Sequence, residues 1–336
     1  MAPSQCLNDT YTYTHTSAGQ AMFRMIAYTD NRSLSLVDVM GYSSLAFRIN
    51  IHAETVDIAG PYASFNWGDV FKRGMMNLGF NCRAIGAPNF TPPSPEELQE
   101  ALRFTQNCID HGVPVMAWDL FVPEFGVIYG YDDQQQQLTC LDTAQDGNLP
   151  YVKLGRGRIG ELFLMGIVDC FEVDETCAWR DALEMILEHA FEHQPRHDQE
   201  PYRNGLAGYE AWMQALRSQS VEVVGNAYNA LVVGDARMYA AEFLTRLADR
   251  WRNGSPLQRE VAPNAQAAAT HYREVARHLS GLRASFPFPQ GGTPNDPATA
   301  RTAIELLRQA GVAEASGIEQ LQAMHQRLSR EDSHVT

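Results

Sequence analysis

Between residues 118 and 142 the sequence gathers groups able to move protons: Trp118, Asp119, Glu124, Tyr131, Asp132 and Asp142. They surround one short hairpin, PEFGVIYGYDDQQQQLTCLD over 123–142. Two carboxylates that share a cleft raise one another's proton affinity, which separates them into an acid and a base. Asp119 and Glu124 flank the connection before the first strand and could share such a cleft. The same residues also have a purely structural reading. Asp132 and Asp133 would form a turn, Asp142 would end a strand, and Glu124 would face water.

Other motifs suggest chemistry less strongly. In HAFEH, His189, Glu192 and His193 have the HxxEH spacing that puts two histidines on one helical face with a glutamate base. A zinc site needs a further ligand, which nothing in the sequence singles out, and histidines near a helix C-terminus are favoured by the dipole alone. No metal is expected. GRGRIG over 155–160 has the GxGxxG outline. A dinucleotide site would need a helix after it, whereas ELFLMGIVD reads as a strand, so a turn is expected and no cofactor. Cys6, Cys82, Cys108, Cys140, Cys170 and Cys177 include no CxxC pair and read as reduced core residues. Ser43 and Ser44, in MGYSSLAFRI, begin a segment that reads as helix or strand; a serine opening a helix is ordinarily its cap.

The elements that must position these groups fall into two textures. Short runs rich in branched and aromatic residues predict strands over 114–120, 125–132, 137–142 and 161–169. TPPSPEELQEALRFTQNCIDHG predicts a helix with Ser94 as cap, Pro95 in first position and Glu97 completing a capping box. Its apolar stripe is Leu98, Leu102, Thr105 and Ile109, and Gly112 stops it. Trp67, Val70, Phe71, Met75 and Leu78 predict another helix. Beyond about Thr176 the sequence reads as helices alone. The expected fold is therefore α+β, with an antiparallel sheet in a domain over 1–175 and an all-helical domain over 176–336.

Composition excludes several functions. Apolar residues make up 45% of 336, enough for a sizeable core. The formal charge of −14, from 40 acidic against 26 basic residues, repels phosphate backbones and anionic lipid. Neither nucleic acid nor membrane is an expected partner. No apolar run approaches the roughly 18 residues that cross a bilayer. The first twenty residues carry no basic start or apolar stretch, so no secretion signal is expected and a cytoplasmic location is.

The order GVPVMAWDL, PEFGVIYGYDD, LTCLD resembles the papain-like fold of bacteriocin-processing cysteine peptidases. The nearest likeness is to the N-terminal domain of the butirosin-biosynthesis acyltransferase family, and it covers about residues 40–175. The resemblance implies a cysteine opening a helix, a histidine on the strand that ends Gly-Tyr-Asp, and an Asp or Asn on the next strand. It also implies acyl or amide chemistry through a thioester. Here the cysteine place falls near Ser43 and Ser44, the histidine place on Glu124, and only Asp142 matches. A thiol mechanism is disfavoured. The expectation is a small-molecule enzyme of specialised metabolism with Glu124 as acid/base and Asp119 or Asp142 as its partner. Ser43, Ser44 or water would be the nucleophile, and Trp118, Tyr131, Tyr42 and Arg48 would contact substrate. The alternative is a catalytically silent relative that binds a ligand or carrier protein. A third reading is a homodimer formed through the helical domain, with no small ligand.

Overall fold

The computed structural model describes residues 11–29, 34–63, 65–191 and 201–332. In chain order its first elements are α1 (Ser17–Ile26), α2 (Leu36–Tyr42), β1 (Asn50–His52), α3 (Trp67–Asn77), β2 (Phe80–Gly86) and α4 (Pro95–Asp110). The strands β3 (Val115–Trp118), β4 (Phe125–Asp132), β5 (Gln137–Leu141), β6 (Asp146–Pro150) and β7 (Phe163–Cys170) follow. Then come α5 (Glu175–Ala190), β8 (Tyr202–Asn204), α6 (Gly205–Arg217), α7 (Val223–Trp251), α8 (Pro256–Ser285) and α9 (Pro297–Asp332). The chain is a mixed α+β protein with an antiparallel sheet and a helical C-terminal region. It divides into two compact units, one of residues up to Val39 with Asn66–Val173, the other of Met40–Phe65 with Asp174 onward.

The first unit is built on a six-stranded sheet in the order β2-β7-β3-β4-β5-β6, with every neighbouring pair antiparallel. The four strands expected from sequence are β3, β4, β5 and β7; β2 and β6 are the two edges, and no strand is predicted for either. Aromatic rings fill one layer, where Trp67 and Phe71 of α3 meet Trp118, Phe125 and Phe163 with centroids 4.8 to 6.0 Å apart. Edge-to-face pairs of this kind contribute about 0.5–1.5 kcal/mol beyond their burial. A second cluster joins α4 to the sheet, with Ala101, Phe104 and Cys108 against Val115, Ile128, Leu138 and Cys140.

The expected capping box of α4 is present: Glu97 N donates to Ser94 Oγ at 3.2 Å and Ser94 N to Glu97 Oε2 at 2.7 Å. Its buried stripe is displaced by part of a turn. Ala101, Phe104, Thr105 and Cys108 are buried, while Leu98, Leu102 and Ile109 pack at the margin. Phe104 supplies the bulk that the sheet face receives.

In the second unit α7 runs beside α8, and α8 beside α9, around a core that includes Trp212, Val233, Val275, Leu279, Leu282 and Leu307. Alongside that core Arg237 and Glu314 form a buried, two-pronged ion pair. The region beyond Thr176 is not helical throughout, because β8 pairs antiparallel with β1, Asn50 opposite Asn204. Three residues bury too little to leave a period in the sequence. The cysteines also differ from a uniformly buried set: Cys82, Cys108 and Cys140 are buried, Cys170 is exposed and Cys177 partly so. Cys6 lies outside the described residues. No described helix is long and apolar enough to cross a membrane.

Candidate functional site

Strand β4 begins immediately after Glu124, and α1 packs against β4 and β3. That packing brings Ser17, the first residue of α1, to the start of the strand across 107 positions of sequence. Ser17 Oγ donates to Glu124 Oε2 at 2.5 Å and accepts from Phe125 N at 3.0 Å. Such a hydroxyl–carboxylate bond is charge-assisted and short. Ser17 is wholly buried and Glu124 half-buried, so the carboxylate is the member of the pair that meets solvent.

The segment entering α1 is held by its own side chains. Thr14 N donates to Gln20 Oε1 at 3.1 Å and Thr16 N to Thr14 Oγ1 at 3.1 Å. Thr16 occupies the cap position, yet its side chain makes no capping bond, and its buried hydroxyl has no partner among the described residues. Two turns beyond Ser17, burial lowers the pKa of Arg24 against the pull of Tyr13, Asp142 and Asp146.

The other carboxylates of this region organise backbone. Asp142 Oδ2 accepts from Phe121 N and Val122 N, and its Oδ1 from Ala144 N and Gln145 N. Four N–H groups therefore saturate the carboxylate and pin the loop that leads into Glu124. Asp119 is buried in the left-handed conformation at φ 54°; its N donates to Glu124 O and its Oδ2 accepts from Ile159 N at 2.7 Å. Gly157 lies against Asp119, where a Cβ would come within 2.5 Å of its carboxylate. Gly155 and Gly160 stand at φ 68° and 72°, the left-handed region that favours glycine, and a strand follows them, as the turn reading expects. Glu161, absent from the sequence-derived candidates, is buried and accepts from Phe90 N at 3.0 Å. Burial raises its pKa, with Asp119 adding to the effect and the Phe90 and Asn89 amides opposing it.

Trp118 is a core residue of the aromatic layer. Tyr131 packs with the α4 cluster and donates its hydroxyl to Asp110 at 2.7 Å. Ser43, Ser44, Tyr42 and Arg48 belong to the second unit. Ser43 and Ser44 do not open a regular helix. They follow the end of α2 and precede one 3-10 turn, with Ser44 at φ 64° and its buried hydroxyl without a partner among the described residues. Tyr42 donates to Glu175 at 2.9 Å, and Arg48 lies 4.2 Å over the Phe65 ring. Within the first unit the structure thus gathers Glu124, Asp119 and Asp142 about one loop and adds Ser17 to them.

Thiol chemistry finds no support in these positions. Burial pushes the Cys82 and Cys140 thiols up to about 12 and Cys108 to about 11, so all three are protonated at neutral pH. His189 is buried and accepts from Ile49 N at 3.0 Å, while Glu192 and His193 lie outside the described residues. Among the described residues no group of three His, Cys, Asp or Glu is placed to hold a metal.

Ser17 escapes sequence reasoning because a serine at a helix start is usually a cap. The available signal is the apolar set Ala21, Met22, Met25 and Ile26, which marks a helix opening at Thr16 or Ser17. No family model matches the chain, and no curated protein matches it.

Proposed function

We propose that the first unit processes acyl or amide bonds of a small molecule, with the Ser17 hydroxyl as nucleophile and Glu124 as base. The observation that carries this reading is the 2.5 Å bond from Ser17 Oγ to Glu124 Oε2 at the N-terminus of α1. The papain-like resemblance supports the part played by Glu124, since it implies a base at that place in the strand that ends Gly130-Tyr131-Asp132. It puts its nucleophile near Ser43 and Ser44, so the role of Ser17 rests on the bond alone. Proton transfer from Oγ to Glu124 would accompany attack on the substrate carbonyl. The carboxylate's negative charge then passes to the carbonyl oxygen, near the positive end of α1. Collapse of the intermediate expels the leaving group, protonated by Glu124, and leaves an acyl–Ser17 ester for transfer to water, an amine or an alcohol. Asp142 acts through the loop it pins. Specialised metabolism and a carrier-protein partner accompany this reading on the strength of the resemblance.

The test is turnover of a panel of p-nitrophenyl acyl esters. Ser17→Ala should abolish Ser17-dependent release, and Glu124→Gln should lower it by about 10²–10⁴-fold, with circular dichroism unchanged. A second reading is favoured by the complete burial of Ser17 and the two bonds already made by its Oγ. On that reading the pair only fastens α1 to β4 in a unit that binds a ligand or carrier protein. Equal release by wild type and Ser17→Ala, with ligand affinity altered by Glu124→Gln, would select it.

A further inference from the structure

Arg24 stands seven residues after Ser17 in α1, so the two lie on one stripe of the helix, roughly 10 Å apart along its axis. Ser17 sets the start of that stripe against β4 through its bond to Phe125 N. Arg24 is partly buried, and among the described residues its guanidinium makes no hydrogen bond and no ion pair. The group carries five N–H donors in a fixed fork, and each loses water as it is covered. Burial disfavours its charge, and the groups near enough to favour that charge are Tyr13, Asp142 and Asp146. Neither carboxylate answers the fork. Asp142 turns both oxygens to four backbone amides, and Asp146 Oδ1 accepts from the Tyr129 hydroxyl at 2.6 Å. Tyr28 lies near Tyr129, and Tyr13, Tyr28 and Tyr129 are all exposed, so the surroundings of Arg24 are open to solvent.

A guanidinium fork matches a carboxylate or a phosphate, each of which offers two oxygens to two parallel N–H groups. Asp142 and Asp146 decide between them. A phosphate would bring nearly two negative charges beside two carboxylates, whereas a carboxylate brings one. The tyrosine rings suit an apolar or aromatic body behind that charge. We propose that Arg24, bordered by Tyr13, Tyr28 and Tyr129, is a binding site for the carboxylate of a small organic acid. As a site it stands on Arg24 and its neighbours; its place on the acyl substrate rests on the Ser17–Glu124 reading. On that reading the substrate is an acyl compound with a free carboxylate at its far end, roughly 10 Å from the carbonyl that Ser17 attacks. Arg24 then selects and positions the substrate, and no bond is made or broken there.

The experiment is isothermal titration calorimetry of the full chain with phenylacetate, its neutral counterpart phenylacetamide, and inorganic phosphate. Wild type should bind phenylacetate at least about tenfold more tightly than the amide, the worth of one charge-assisted contact. Arg24→Gln should erase that preference, and Arg24→Lys, which keeps the charge without the fork, should retain part of it. Should the glutamine variant fail to fold by circular dichroism, Arg24→Met replaces it. A second arm compares turnover of the mono-p-nitrophenyl ester of suberic acid with that of p-nitrophenyl octanoate, which has the same chain length and no carboxylate. Wild type should favour the half-ester by about tenfold in kcat/KM, chiefly through KM, and Arg24→Gln should lose that preference. Absence of a carboxylate preference in binding, or its survival in Arg24→Gln, overturns the site. Phosphate bound more tightly than phenylacetate overturns the assigned ligand class. A binding preference with no Arg24-dependent preference in turnover overturns the site's place on the acyl substrate. Wild type no faster than Ser17→Ala on either ester overturns the Ser17–Glu124 reading and leaves the binding site standing.

Discussion

Replacing Glu314 with alanine should be among the most damaging single changes in the helical unit. Arg237 and Glu314 are 0% and 3% exposed and are bonded twice, at 2.8 and 2.7 Å. Tyr209 adds its hydroxyl to Glu314 Oε2 at 2.5 Å, and Arg237 Nη1 donates to the carbonyls of Ala46 at 3.0 Å and Arg48 at 2.9 Å. Burial works against the guanidinium charge, yet Glu314 and Tyr209 beside it carry its pKa above the ordinary value. Without Glu314 that charge keeps two carbonyl acceptors and no counter-ion, and the Tyr209 hydroxyl loses its acceptor. Stranding one member of a buried pair costs about 3–5 kcal/mol, a large part of a typical stability of about 5–15 kcal/mol. Exchanging both partners for Arg237→Met with Glu314→Leu is often neutral or better in such pairs. Here it would also strip donors from two carbonyls, each worth about 1–3 kcal/mol when left unsatisfied, and leave the Tyr209 hydroxyl without its acceptor, so the double variant should be destabilised by an amount comparable to Glu314→Ala. Urea unfolding followed by far-UV circular dichroism measures both. A Glu314→Ala loss under about 1 kcal/mol, or a double variant as stable as wild type, would refute the reasoning.

Two further outcomes follow from burial. Because burial raises the Glu161 pKa above the ordinary glutamate value, the folded chain holds this proton more tightly than the unfolded one. Its contribution to stability is therefore fully present below that value and is lost as pH rises through the raised one, so the stability of Glu161→Gln minus that of wild type should grow with pH across this window in a series of urea melts; a flat or falling difference contradicts the assignment. In native protein, iodoacetamide at neutral pH should modify Cys170 and Cys177, while Cys82, Cys108 and Cys140 react only after denaturation, as read by peptide mass spectrometry. Native labelling of Cys140 at the rate of Cys170 would show that the β5 core opens far more readily than its packing implies.

How much of this was legible depends on how long a pattern each element writes. The α4 capping box, the branched and aromatic run of β4 and the alternation of β5 occupy many positions and appear where the sequence puts them. The edge strand β2 does alternate in burial over FNCRAIG, but an edge needs few apolar residues and is easily read as loop. β6, DGNLP, carries turn residues throughout and is a strand only because β5 pairs with it. Long-range partnerships leave no local trace at all: nothing in HTSAGQ names Glu124 as the acceptor for Ser17. Counting from the Gly-Tyr-Asp strand does find Glu124. Finding its partner requires knowing which helix lies on β4, and that choice is made by tertiary packing.

The four carboxylates about the 119–124 loop can be distinguished by what they bond. Asp142 is saturated by four backbone amides, Asp119 is tied to Ile159 N, and Glu161 takes Phe90 N. Backbone amides do not surrender protons to carboxylates near neutral pH, so these bonds set geometry and carry no chemistry. Glu124 differs because its short bond is to a hydroxyl, and a hydroxyl becomes a nucleophile when the proton is shared away. An ordinary carboxylate is a weak base for this task, which is why the surroundings matter as much as the pair. Moving the charge from Glu124 toward the start of α1 costs least if donors already wait there. The N-terminus of α1, where Ser17 stands, offers the positive end of a helix dipole. The case for chemistry thus stands or falls on Ser17 together with Glu124, and it does not depend on Ser43 or Ser44.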